Sequence, residues 1–158
     1  MGFRVAMIGA GGIGSNLLRI LAPTLSQSIL SERLGGIEIT IFDSDLVEQN
    51  NLHHQGYSTF DIGKYKVHAL VESLSIFESS LISFKPINCD VNESTNLDRF
   101  NLVIVCVDSP HARIITHSNC LRWLDLRCRG DNFMALDYNA DDGVIKSLTN
   151  LKQNPGSC

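Results

Sequence analysis

Four glycines in six residues, Gly9-Ala10-Gly11-Gly12-Ile13-Gly14, separate the short apolar run Phe3–Ile8 from a leucine-rich stretch, NLLRILAPTLSQSILSERL, whose apolar residues fall at helical spacing. A glycine turn between a strand and a helix leaves backbone N–H groups and the positive helix end facing outward with no Cβ in the way. A phosphate fits such a turn, and a nucleotide is the natural ligand. The same glycines also fit a purely structural role, the close packing of helix on strand. Nor does the turn choose the nucleotide. In an NAD-binding unit the ribose-binding acid stands ~20 residues after the glycines. Here Asp43 lies 29 residues after Gly14.

Beyond the turn, strand and helix patterns alternate. Pro23 is expected to kink or divide the first helix, because proline lacks the N–H donor, and Gly35-Gly36 ends it. Ile37, Ile39 and Ile41 alternate with Glu38 and Thr40 in a second strand that ends near Asp43. Residues 44–62 form a long polar connection, of a length that is commonly functional or carries short helical turns. From Gly63 onward, Val67, Leu70, Val71, Leu74 and Phe77 recur at three- and four-residue steps and give one apolar helical face. LISFKPI is a third strand, placed at an edge by Pro86. LVIVCVD, residues 102–108, is apolar on both faces and suits the middle of a parallel sheet. Ser109 and Pro110 are the N-cap and first residue of a helix running through HARIITHSNCLRWL. FMALDY and VIKSL, joined by a hairpin turn at Asp141-Asp142-Gly143, read as two final strands. The 158 residues fit a single domain, 1–158. The alternation predicts a Rossmann-like α/β fold: a mostly parallel sheet with helices on both faces, C-terminal strands open to antiparallel pairing, and ligands at the carboxyl ends of the strands.

Charge and cysteine usage narrow the partners. A net charge of −4 and a pI near 5.6 argue against holding nucleic acid or an anionic membrane by charge. No apolar stretch approaches the ~20 residues of a membrane span, so the chain reads as cytoplasmic. Five cysteines form an odd set without a CxxC pair, so neither a disulfide framework nor zinc is expected. Cys106, Cys120 and Cys128 read as inert, buried thiols. His53-His54 carry no metal reading, since adjacent side chains diverge, and Trp123 is assigned to the core.

The ordered set GAGGIGS, IFDSDLVEQNNLHHQ, DIGKYKV and VIVCVDS, with Arg113 five residues beyond Asp108, resembles the ThiF/MoeB family, bacterial relatives of the ubiquitin-activating enzymes. With its long first helix the chain is most similar to the phage- and plasmid-associated ThiF-like proteins. The resemblance runs from about Val5 to Arg113. It implies an adenylyltransferase that uses ATP and Mg²⁺ to activate the C-terminal glycine of a ubiquitin-like or sulfur-carrier protein, working as a homodimer. It places Gly9, Gly11, Gly12 and Gly14 at the ATP phosphates, Asp43 at the ribose hydroxyls, and Asn51 and Gln55 among the polar residues of the nucleotide site. It gives catalytic roles to Lys66 at the phosphates, Asp108 at Mg²⁺ and Arg113 one helical turn onward. Chemistry agrees: a carboxylate attacking the α-phosphate brings two anions together, so metal and cationic donors are required. The competing readings are a lysine on a solvated helix surface and an Asp that only caps a helix.

Three departures from the family pattern bear on activity. The NLxRQ stretch reads Asn51-Leu52-His53-His54-Gln55, so His54 stands where an always-charged arginine is expected. The family's N-terminal helices, which can lend an arginine to the partner subunit, have no counterpart here, and PGSC stops where its zinc-binding CxxC pairs would begin. The expected function is therefore the ATP-dependent adenylyltransferase. A catalytically reduced module that binds nucleotide or partner is the alternative, and an NAD-dependent oxidoreductase domain is the third reading.

Overall fold

A computed structural model describes residues 2–129 and 132–149. Six strands, β1 (Phe3–Ile8), β2 (Ile37–Phe42), β3 (Ile82–Ile87), β4 (Leu102–Val105), β5 (Trp123–Arg129) and β6 (Asn132–Asp137), form one sheet in the order β3-β2-β1-β4-β5-β6. All neighbours are parallel except β5 and β6, which pair antiparallel. The helices are α1 (Gly12–Ser26), α2 (Ile29–Arg33), α3 (Lys66–Leu74), α4 (Pro110–Asn119) and α5 (Asp142–Thr149). Chain order reverses between β1 and β4, which opens a crevice at the carboxyl ends of those two strands.

The period of two in the strands is what divides the core. Val5 and Met7 of β1, Ile39 and Ile41 of β2, and Ile104 of β4 bury one face with Leu18 and Ala22 of α1 and Val67, Leu70 and Leu74 of α3. Ala6, Ile8, Phe42, Val103 and Val105 bury the other with Ile115 of α4 and Trp123. Both faces are covered, as a parallel sheet requires. Pro86 sits in β3 at the sheet edge, as its missing donor demands.

Four local expectations are corrected. The first helix runs unbroken through Pro23 and divides instead after Ser26, where Ser28 accepts from the Leu30 amide at 3.0 Å and caps α2. β4 ends at Val105, so Asp108 lies in the loop beyond the strand. The helix after Pro110 stops at Asn119, and Trp123 and Leu124 belong to β5, where Trp123 is buried. VIKSL is helical, within α5. The Asp141 carboxylate accepts from the amides of Gly143 and Val144 at 2.8 and 3.3 Å and caps the helix where a hairpin turn is expected. A five-residue apolar run is too short for periodicity to separate strand from helix.

β5 eludes the sequence reading because one of its faces is charged and buried. Asp125 is fully buried and accepts from the guanidinium groups of Arg113 and Arg127. Arg127 also donates to the Leu148 carbonyl at 2.7 Å and so ties down the end of α5. The His117 ring stacks on Trp123 at 3.9 Å and lies 3.1 Å from Asp125. Burial, and then the two neighbouring guanidiniums, push its pKa down to about 4, so the imidazole is neutral and its bond to Asp125 is not an ion pair. Unfolded His117 takes up its proton near 6.5, the folded residue only near 4. Between those values the unfolded state binds more protons, and stability falls as pH drops from 6.5 towards 4. His117→Phe, which keeps a ring against Trp123, should flatten that part of a plot of urea midpoint against pH. An unchanged slope would remove His117 from the acid sensitivity of this fold.

Candidate nucleotide site

The crevice holds a cavity of about 350 Å³, and Gly9, Gly11, Asp43, Gln55, Lys66 and Asp108 all line it. Residues from four separated segments of the sequence thus share one space. Gly12 and Gly14 stand behind the lining in the first turn of α1. There Gly14 is obligatory, because a Cβ at this position would fall 2.0 Å from the Gly9 carbonyl oxygen. Gly9 itself has φ of 98°, a backbone conformation that favours glycine. The first-turn amides of α1 have no acceptor within the helix and remain donors for an anion.

Asp43, at the end of β2, accepts from the Ala10 amide through Oδ2 at 2.7 Å and from the Asp45 amide through Oδ1 at 2.9 Å. Each oxygen keeps a further lone pair for a hydroxyl. Burial raises the Asp43 pKa, and the two backbone donors and Lys66 only partly oppose it. Lys66 opens α3 and is buried, with its ammonium 2.8 Å from Oδ2 of the exposed Asp45. Asp108 is exposed at the cavity wall. The cap of α4 belongs to Ser109, which accepts from the Ala112 amide at 3.5 Å with Pro110 at the first helical position. The competing reading of Asp108 as a helix cap therefore does not hold.

Two residues expected at the site stand outside the lining. Asn51 uses its side-chain oxygen to accept from the Glu48 amide at 2.8 Å and closes a short helical turn, Gln49–His53. Arg113 is 2% exposed and donates to Asp125 and to the Val107 carbonyl. Its charge serves the buried carboxylate and braces the residue before Asp108. His54 is exposed, and its carbonyl accepts from Asn16 Nδ2 at 3.1 Å. The Cys120 thiol is pushed up to about 12, chiefly by burial, and is no nucleophile at neutral pH. Among the described residues no group of three His, Cys, Asp or Glu side chains is placed to hold a metal ion, and no helix is long and apolar enough to cross a membrane.

Side chains that the sequence reading missed stitch the connection to the glycine turn. Ser15 Oγ donates to the Gly11 carbonyl at 2.7 Å and accepts from the Gly56 amide at 2.9 Å. Asn16 Nδ2 bridges the Gly12 and His54 carbonyls. The Tyr57 hydroxyl donates to the Ala10 carbonyl at 2.6 Å. Ser15 stands inside the recognised GAGGIGS segment, but its partner 41 residues away could not be read from spacing.

With this geometry in view, comparison with known proteins is decisive for the family: residues 2–125 match the ThiF family. The chain belongs to the ThiF family. It is 28% identical over 121 residues to "Adenylyltransferase and sulfurtransferase UBA4" of Yarrowia lipolytica, covering 75% of this chain and 28% of that protein. It is 27% identical over 140 residues to "Ubiquitin-like modifier-activating enzyme 5" of Drosophila simulans, covering 77% and 32%. The chain thus spans less than a third of the length of these curated relatives. Among solved structures, E. coli MccB with succinimide superposes with a TM-score of 0.68 at 22% identity, over 97% of this chain and 49% of that one. E. coli tRNA N6-threonylcarbamoyladenosine dehydratase, TcdA, in complex with ATP, superposes at 0.58 and 20% identity, over 73% and 46%. Both share the fold of this ThiF chain.

Close packing at the turn is directly testable. Gly14→Ala should cost about 1–3 kcal/mol, the range for overpacking a tight site, and lower the thermal midpoint accordingly. A variant that melts with the wild type would disprove the contact.

Proposed function

We propose that this ThiF-family chain binds ATP with Mg²⁺ in the crevice and adenylates the C-terminal carboxylate of a small ubiquitin-like or sulfur-carrier protein. The observation that carries the reading is the convergence of Gly9, Gly11, Asp43, Lys66 and Asp108 on one cavity at the strand-order reversal. Asp43 has lone pairs left for the ribose hydroxyls, and the first-turn amides of α1 receive the phosphates. Lys66 supplies a fixed positive charge. A cavity that also holds the carboxylates of Asp45, Asp90 and Asp108 suits a polyanion only when a cation accompanies it. A single exposed carboxylate such as Asp108 fits Mg²⁺, which is commonly held by one or two acids plus substrate phosphates. Bound there, the metal would neutralise charge on the phosphate oxygens.

In the reaction a carboxylate oxygen of the carrier forms a bond to the α-phosphorus, the bond from that phosphorus to the bridging oxygen breaks, and diphosphate leaves with the electron pair. Arg113 is reassigned from direct catalysis to positioning, because it holds the Val107 carbonyl next to Asp108. Asn51 shapes the connection that presents Gln55. His54 in place of arginine favours a second reading, a module that binds nucleotide and carrier without forming adenylate. ATP–diphosphate exchange with a candidate carrier separates the two, since binding without exchange supports the reduced module. Homodimerisation belongs to the same proposal, with β6 as an outer strand that exposes Phe133 and Met134. A monomeric mass by light scattering at tens of micromolar would oppose it.

Asp108→Asn should leave stability within about 0.5 kcal/mol, as an exposed position outside the helix cap predicts. Metal-dependent ATP affinity should fall about tenfold or more, because a hard cation loses an anionic ligand. Exchange should fall further, to about a hundredth, as the charge to be neutralised grows in the transition state. Full Mg²⁺-dependent affinity in a normally folded variant would refute the role.

A further inference from the structure

We propose that Tyr57 is a positioning residue for the phosphate-binding turn: its hydroxyl and the Asp43 carboxylate grip the two faces of Ala10 and thereby aim the Gly11 amide at the cavity. The inference rests on the nucleotide-binding reading above.

Ala10 is fully buried, with Gly9 before it and Gly11-Gly12 after it. Glycine has the widest choice of backbone angles, so the single side-chain-bearing residue of this segment is where the turn can be held. Its N–H donates to Asp43 Oδ2 at 2.7 Å, and its carbonyl accepts from Tyr57 Oη at 2.6 Å. A trans peptide is planar, and its C=O and N–H point in opposite directions. Holding the Ala10 carbonyl inward on Tyr57 therefore turns the N–H of the same plane, that of Gly11, outward, and Gly11 lines the cavity. Holding the Ala10 N–H on Asp43 fixes the preceding plane, whose carbonyl is the one packed against Gly14.

Tyr57 is buried and its ring belongs to the core that includes Val47, Val67 and Leu70. Burial, and then the Asp43 charge, raise its pKa, so the hydroxyl keeps its proton and remains a donor. Oη also lies 3.4 Å from the Lys66 carbonyl. A hydroxyl has one proton to give, and the shorter contact to Ala10 takes it. The phenol thus stands between the glycine turn and the first residue of α3, the residue that carries the lysine charge.

Tyr57→Phe keeps the ring and deletes only the donor. In the nucleotide-free protein, hydrogen exchange followed by NMR should show the Ala10 amide, held on Asp43, exchanging at least tenfold faster, with the amides of β4 unchanged. MgATP dissociation constants should rise about 5- to 50-fold, the effect of leaving one buried carbonyl without its donor. ATP–diphosphate exchange at saturating ATP should fall by less than the affinity does. Ser31→Ala, which removes a buried 2.7 Å bond to the Leu25 carbonyl on another part of the fold, should lower stability without moving either readout. Exchange of the Ala10 amide within twofold of wild type in Tyr57→Phe would overturn the inference, as would equal effects of Ser31→Ala. Failure of the wild type to bind MgATP would instead sink the nucleotide reading, and the exchange measurement would still decide whether Tyr57 holds the turn.

Discussion

The approach of α1 to the end of β1, so close that a Cβ on residue 14 would sit 2.0 Å from the Gly9 oxygen, is the constraint from which the crevice follows. It lets the first turn of a helix begin directly at a strand end, so helix amides arrive where the strands stop. The strand end is held on both sides at that level. The Gly9 amide donates to Phe42 of β2 and the Cys106 amide donates to Ile8 of β1, each at 2.8 Å. Because β2 and β4 flank β1 while their connections cross opposite faces, the turn opens into the gap where the order reverses. Asp43 and Asp108 then reach the same space as continuations of the two neighbouring strands.

On the far side of β4 the fold depends on charge placed where only apolar atoms would be expected. Two guanidiniums surround the Asp125 carboxylate, and a neutral imidazole takes up part of its remaining acceptor capacity. Removing one member of such a set leaves an uncompensated buried charge, which is costly. The arrangement also reaches the cavity, since Arg113 holds the Val107 carbonyl and so braces the loop that carries Asp108. Packing under the sheet and chemistry above it therefore share a residue.

Much of this was legible in the sequence because the strands near the turn are apolar on both faces and the motifs bear glycines. β1, β2, the edge position of β3 and the cap at Ser109 follow from periodicity, Pro86 and a Ser-Pro pair. β5 was not legible, because Asp125 and Arg127 read as surface residues and their partner Arg113 comes from α4. α5 was hidden because VIKSL is too short to show a period. At the site, Asp43, Lys66 and Asp108 were placed by the family resemblance, and only Asp108 was supported also by its position after the central strand, since a lysine opening a helix reads by itself as solvated surface. Arg113 and Asn51 were placed by the same resemblance, and the structure bonds both to other partners. Tyr57 was silent in the sequence, since a tyrosine in a polar connection carries no pattern that reveals a backbone carbonyl 47 residues away.

The electrostatics of the cavity follow from that division of labour. Lys66 is already paired with Asp45, and Arg113 is spent on Asp125, so among the cavity-lining residues fixed positive charge is scarce beside the carboxylates of Asp43, Asp45, Asp90 and Asp108. A phosphate chain entering alone would meet repulsion from the carboxylates at the walls, and attraction only at the amides of the turn and at the already paired Lys66. Oriented amides cost no reorganisation when charge develops, which makes their fixed direction worth more here than in a site lined with arginines. The Tyr57 phenol and the Asp43 carboxylate hold the Ala10 carbonyl and amide, and so fix the direction of the turn's peptide planes. Cationic side chains come second, and His54, outside the lining, adds no fixed charge to it.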